Sequence, residues 1–124
     1  MTTSYPKSAP YSNDLSAVYS ECSGPGGLQL TEFMAEKMGL RLNARVLDIG
    51  IERGYQTCFL AKEYGAQVIG LDPDDDRSDD IPHIEHLMRN ARSWNVEDRV
   101  IGLKLGVPET YFASNTFDFV HSTT

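Results

Sequence analysis

The chain alternates between short apolar runs and longer amphipathic stripes, with glycine, proline or acid between them. Leu30, Phe33, Met34 and Met38 recur at helical spacing, and Gly39 follows as a left-handed stop, which predicts a helix closing there. Arg45–Ile49 reads as a short strand with Asp48 near its end. Residues 56–64 carry Phe59, Leu60 and Ala61 and run into Gly65, the pattern of a helix with a glycine cap. A second strand, residues 66–72, ends on Asp72. Over residues 82–94, Ile84, Leu87, Met88 and Ala91 fall at i, i+3, i+4 and i+7, one face of an amphipathic helix. Residues 99–105 and 116–122 read as third and fourth strands.

This order, a helix followed by β-α-β-α-β and one more strand, implies parallel pairing through right-handed crossovers. The expected fold class is α/β: a Rossmann-like, doubly wound, mostly parallel sheet, truncated after about the fourth strand. Open sheets of this kind bind ligands beyond the C-terminal ends of their strands. Asp48, the turn at Gly50, Asp72 and the end of the fourth strand should therefore share one crevice. Residues 1–22 read as a flexible N-terminal arm, rich at its start in Ser, Thr, Pro and Tyr, and residues 23–124 as the incomplete domain. The stretch 72–80 holds six aspartates and one arginine and is expected to be a solvated loop.

At 124 residues the chain makes at most one domain, and 40% hydrophobic with 23% charged content is ordinary for a globular protein. Eleven basic against 18 acidic residues give a net charge of −7 with no Lys/Arg cluster. Such a surface repels phosphate backbones, which argues against nucleic acid as a partner. No apolar run approaches the roughly 20 residues of a membrane helix, and the first residues lack the apolar core of a secretory signal. Cys22 and Cys58 are not spaced as a metal or redox pair, which fits a reducing, cytoplasmic setting.

The stretch RVLDIGIERGYQT, residues 45–57, runs from strand through a glycine turn into a helix. A dinucleotide site would read G-x-G-x-x-G there and offer its amides to a pyrophosphate. Here Gly50, Glu52 and Gly54 give G-x-E-x-G, and Asp48 and Glu52 would both repel a pyrophosphate. S-adenosylmethionine has no phosphate and carries a net positive charge. The same carboxylates attract it, and the turn's amides remain for its carboxylate. Asp72, 22 residues after Gly50, stands near the about 20 residues expected of an acid that grips ribose hydroxyls.

RVLDIGIERG followed by VIGLD resembles motif I and the acidic strand end of class I S-adenosylmethionine-dependent methyltransferases. VEDRVIGLKLG and NTFDFVHS resemble that family's third- and fourth-strand regions. GPGGLQLTEFMAEKMGL is similar to the lead-in helix of its small-molecule branch, related to ubiquinone-biosynthesis and cyclopropane-synthase-like enzymes. The resemblance implies that Asp48 and the turn Gly50, Glu52, Gly54 hold the methionine end of the cofactor. By the same resemblance Asp72 takes the ribose hydroxyls, Pro73 packs beside the adenine, and His121 and Ser122 border the methyl-transfer centre. It also implies the sheet order 3-2-1-4, with the fourth strand as an open apolar edge prone to self-association. Three departures stand out. The family usually has glycine where this chain has Glu52. Val107 replaces an aspartate expected near the adenine amino group, with Glu109 two residues on as a possible substitute. The chain ends just after the fourth strand of about seven.

Blander readings stand beside these. Glu52 reads as a tolerated surface acid or a damaging change ahead of a specific contact. His83 and His86, at i and i+3, lack a third metal ligand. Asp74, Asp76, Ser78 and Glu85 fall at calcium-loop positions, but Asp79 replaces the required glycine, and no metal is expected. Tyr11 and Tyr19 either fold over the cofactor pocket or stay with the arm. Trp94 reads as a packing residue, and Cys58 as buried rather than nucleophilic. The expected activity is methyl transfer to a small-molecule acceptor by in-line displacement, the alternative being a non-catalytic ligand-binding or interaction module with the same fold. His121 is the one histidine near the expected transfer point and the single candidate base, with a structural strand-end histidine as its alternative.

Overall fold

The computed structural model describes residues 5–13, 22, 27–73, 81–106 and 112–122. In chain order they form a 3-10 turn (Ala9–Asn13), α1 (Gly27–Met38), β1 (Arg45–Ile49), α2 (Tyr55–Tyr64), β2 (Gln67–Leu71), α3 (His83–Ser93), β3 (Val100–Leu103) and β4 (Phe119–His121). Each helix and strand lies where the apolar pattern predicts it, with ends shifted by a few residues. Gly39 and Gly65 take the left-handed conformation expected of helix stops, at φ 67° and 64°.

The four strands pair in parallel in the order β3-β2-β1-β4. The chain steps outward from β1 to β2 to β3, then returns to the other side of β1. That reversal makes the gap between β1 and β4 the switch point at which sheets of this type bind ligands. Successive strand residues face opposite sides of a sheet. One row, Val46, Val68 and Val100, is buried against Phe59 and Leu60 of α2 and Leu87 and Ala91 of α3. Phe59, Leu60 and Leu87 have no exposed surface, and burying each contributes about 1.5–3 kcal/mol. A Cβ at Gly102 would come within 2.9 Å of the side-chain tips of Ile84 and Leu87, which pack on β3 at this point.

The three helices pack in a row, α1 on α2 and α2 on α3, over that one face. A doubly wound sheet carries helices on both faces, and the described residues supply one. The reason is topological: right-handed crossovers that step in one direction all fall on the same side. The opposite face shows Val120, Leu47, Ile69 and Ile101, paired in register across all four strands. Val120 and Ile101 are 58% and 57% exposed.

Residues 5–13 fall in the arm expected to be flexible, yet here they are docked. Glu32 of α1, buried to 1% exposure, accepts hydrogen bonds from the Lys7 and Ser8 amides at 3.0 and 2.9 Å and from the Ser8 hydroxyl at 2.8 Å. Tyr11 stacks on Trp94 with ring centroids 4.8 Å apart, meets Phe59 edge-on, and donates its hydroxyl to Glu63 at 2.8 Å. Tyr11 therefore lies against α2 and the end of α3, and Trp94 packs as expected. Tyr19 lies outside the described residues. Low-complexity composition suggested mobility; a single buried acid on a distant helix overrides it.

Candidate functional site

The turn after β1 is built on alternating left-handed residues: Gly50, Glu52 and Gly54 have φ of 71°, 50° and 85°. Its amides, expected to remain for a ligand carboxylate, are instead turned inward. Gly50 and Ile51 donate to the Leu71 carbonyl at 2.8 and 3.3 Å, and Gly54 donates to the Ile51 carbonyl at 2.8 Å. Gly54 is sterically fixed as well, since a Cβ there would collide with Leu87 Cδ1 and lie 3.1 Å from the Leu87 Cα. Glu52 occupies a conformation that costs an ordinary L-residue roughly 1–2 kcal/mol, which gives a physical reason for glycine at this place. Its own amide donates at 2.8 Å to Asp72 Oδ2.

Asp72, just past β2, is 5% exposed. Its second oxygen, Oδ1, lies 3.2 Å from Nδ1 of His83, the equally buried first residue of α3. The turn thus holds the acid by a hydrogen bond, while the His83 contact is close but makes no hydrogen bond at Nδ1 among the described residues. Pro73 follows it, exposed.

Asp48 sits beside the switch point. Oδ2 accepts the Thr57 hydroxyl of α2 at 2.8 Å, and Oδ1 lies 2.8 Å from Nδ1 of His121, the last residue of β4. Asp48, Thr57 and His121 are 3%, 0% and 1% exposed. A carboxylate that accepts here takes its proton from Nδ1, which leaves Nε2 as the acceptor in that tautomer. Nε2 is buried and has no hydrogen-bond partner among the described residues. Ser122 is exposed just beyond it. Cys58, next to Thr57, is buried; desolvation first and the nearby Asp48 second push its thiol up to about 12, so it is no thiolate at neutral pH.

The structure thus brings Asp48, Gly50, Glu52, Gly54, Asp72, Pro73, His121 and Ser122 to the C-terminal edge of the sheet. Val107, Glu109 and the aspartates of residues 74–80 lie outside the described residues. The His83 ring lies against Asp72, and no cluster of three or more metal-ligating side chains occurs among the described residues. The partnership of His83 with Asp72 was not legible in the sequence. Its only signal was a histidine opening the helix that follows an acid-tipped strand.

No protein-family model matches the chain. Phosphoethanolamine N-methyltransferase 1 of Arabidopsis thaliana is 29% identical to it over 104 residues, 78% of this chain and 18% of that protein. The crystal structure of YjhP from E. coli superposes with a TM-score of 0.69 at 18% identity, over 88% of this chain and 42% of that one. A S-adenosylmethionine-dependent methyltransferase from Thiobacillus denitrificans, crystallised with S-adenosyl-L-homocysteine, superposes at 0.68 and 20% identity, over 91% of this chain and 43% of that one. The fold is that of the class I S-adenosylmethionine-dependent methyltransferases, in its N-terminal part. The chain spans less than half the length of each of these relatives.

Proposed function

We propose that this chain is the cofactor-binding part of a S-adenosylmethionine-dependent methyltransferase acting on a small molecule. The observation that carries the reading is the pair of buried carboxylates, Asp48 and Asp72, at the strand ends beside the β1/β4 switch point. The residues fit the cofactor. A carboxylate has roughly four acceptor positions, and a ribose diol would use two of those on Asp72. The amides of residues 50, 51, 52 and 54 have internal acceptors, so a ligand there meets acidic side chains, which suits a cation.

When bound, S-adenosylmethionine supplies an electrophilic methyl group on sulfur. The chain's own part is alignment and exclusion of water, effects worth about 7–11 kcal/mol at most. Asp72 would hold the ribose, with Pro73 beside the adenine. Asp48 and the turn would hold the amino-acid end. His121 would accept a proton at Nε2 where the acceptor nucleophile has one to lose. A second reading, a non-catalytic module with this fold, is favoured by one observation: Glu52 holds a left-handed backbone position in the middle of the turn.

Calorimetric titration with S-adenosylmethionine tests the reading. Saturable binding that falls at least tenfold in Asp72→Ala supports it. Absence of binding that returns in Glu52→Gly supports the second reading, and saturable NADH binding would overturn both.

Two further proposals concern setting and assembly. A cytoplasmic location is consistent with the absence, among the described residues, of any helix long and apolar enough to cross a membrane. Self-association, expected through the edge strand β4, is supported by Val120 on that strand and Ile101 on the same sheet face, both more than half exposed among the described residues. A cavity of about 220 Å³ on the sheet, lined in part by Ile69, Ile101 and Phe117, adds to this apolar surface. It includes Arg45 and Gln67, the first residues of β1 and β2, and so lies at the end of the strands away from Asp48 and Asp72.

A further inference from the structure

We infer that Tyr11, in the docked N-terminal segment, is a positioning residue for the turn at residues 50–54; its effect on a ligand rests on the cofactor reading above. α3 meets the end of that turn along one stripe. Leu87, Asn90 and Trp94 fall at i, i+3 and i+7, on one face of the helix and its cap. Each touches one of three consecutive residues where the turn enters α2. Asn90 Nδ2 donates to the Arg53 carbonyl at 2.9 Å. Gly54 sits so close to Leu87 that a Cβ there would lie 3.1 Å from the Leu87 Cα. The Trp94 ring meets Tyr55 edge-on, with centroids 4.8 Å apart. A shift of the last turn of α3 therefore displaces residues 53–55 or breaks these contacts.

Trp94 is itself held by the N-terminal segment. Tyr11 stacks on it within 7° of parallel, and Lys62 Nζ of α2 lies 5.9 and 5.4 Å from the Tyr11 and Trp94 ring centroids. Tyr11 is anchored in turn on α2, edge-on to Phe59 at 5.8 Å and hydrogen-bonded to Glu63 at 2.8 Å. Just before it, Lys7 and Ser8 are fixed on α1 by Glu32, and Lys7 Nζ reaches Glu36 at 3.1 Å. Residues 7–11 thus bridge α1, α2 and the end of α3, and the bridge ends on the ring that packs against Tyr55. Tyr11 touches no reacting atom and acts through Trp94.

A segment that only adds stability would, when loosened, raise amide exchange in the sheet and the turn together, in step with global unfolding. A segment that positions the turn would raise it at the turn alone. The Glu52 and Gly54 amides, bonded to Asp72 Oδ2 and the Ile51 carbonyl, report the turn. The Gln67 and Val68 amides, bonded to the Ala44 and Arg99 carbonyls, report the sheet.

The test measures hydrogen exchange at these four amides, and calorimetric affinity for S-adenosylhomocysteine, in the wild type, Tyr11→Ala and Tyr11→Phe. In Tyr11→Ala the turn amides should exchange about tenfold faster while the sheet amides keep the wild-type rate. Affinity should fall about three- to tenfold, the worth of one aromatic pair. Tyr11→Phe keeps the stack and should show the smaller change in both. Exchange that rises equally at all four amides, or at none, overturns the inference. So does a wild-type affinity in Tyr11→Ala, or a Tyr11→Phe as impaired as Tyr11→Ala; each of these leaves the cofactor reading intact. Absence of binding to the wild type overturns the cofactor reading, and exchange at Glu52 and Gly54 then decides alone whether Tyr11 holds the turn. Should Tyr11→Ala fail to fold, Tyr11→Leu, which keeps apolar volume without a ring to stack, takes its place with the same expected results.

Discussion

His121 and Asp48 stand directly opposite each other on β4 and β1, with the imidazole Nδ1 2.8 Å from the carboxylate Oδ1. The contact joins the two strands that flank the switch point, and Thr57 ties the same carboxylate to α2. Removing the imidazole strands a buried acid with one partner fewer. We expect His121→Ala to lose about 3 kcal/mol in urea unfolding, between the value of a charge-assisted hydrogen bond and that of an uncompensated buried charge. A loss below about 1 kcal/mol would show that the pair is not holding β4 to the sheet.

The turn makes two opposite predictions at neighbouring positions. Gly54→Ala forces a Cβ onto Leu87 at φ 85°, and should cost about 3 kcal/mol or more. Glu52→Gly relieves a left-handed non-glycine residue at φ 50°, at some expense in chain entropy, and should stabilise by about 0.5–1 kcal/mol. Thermal unfolding of the two variants checks both signs at once. Gly54→Ala unfolding at the wild-type temperature would contradict the steric account.

Much of the architecture was legible in the sequence because it depends on local pattern. The stripe Ile84, Leu87, Met88, Ala91 needs only helical periodicity, and Gly39 and Gly65 need only the left-handed stop. The placement of Asp48, Gly50 and Asp72 at or just past the strand ends followed from strand pattern and spacing. What stayed hidden depends on tertiary register. That Asp48 meets His121 requires knowing that β4 lies beside β1 with residues 48 and 121 opposite. That Glu32 captures Lys7 and Ser8, or that His83 turns to Asp72, is set by where a helix lands on the sheet. No periodicity in the chain encodes those distances.

The apolar sheet face left exposed among the described residues predicts concentration-dependent self-association. Light scattering on the wild type should show dimers or larger species at high concentration, and Ile101→Lys with Val120→Lys should shift the population toward monomer. Both side chains are more than half exposed, so the substitutions leave the helix-facing core untouched. A wild type that stays monomeric at high concentration would contradict the proposal.

Asp118 gives a pH signature. The Arg45 amide donates to it at 2.9 Å and the Arg45 guanidinium at 3.3 Å. The amide first and the guanidinium second hold its carboxyl below the ordinary 3.8. A folded-state value below the unfolded one contributes stability that is present above pH 3.8 and lost as pH falls through the folded value. Urea unfolding of the wild type and Asp118→Asn should therefore differ at neutral pH and converge in acid below that point. A gap that widens in acid would reverse the assignment.

The central claim concerns what the acid-lined strand ends hold, and a crystal grown with S-adenosylhomocysteine addresses it most directly. The account predicts density with the ribose hydroxyls on Asp72 and the amino-acid end near Asp48 and the turn at residues 50–54. An empty crevice, or one filled by the Glu52 side chain in the presence of saturating ligand, would contradict it.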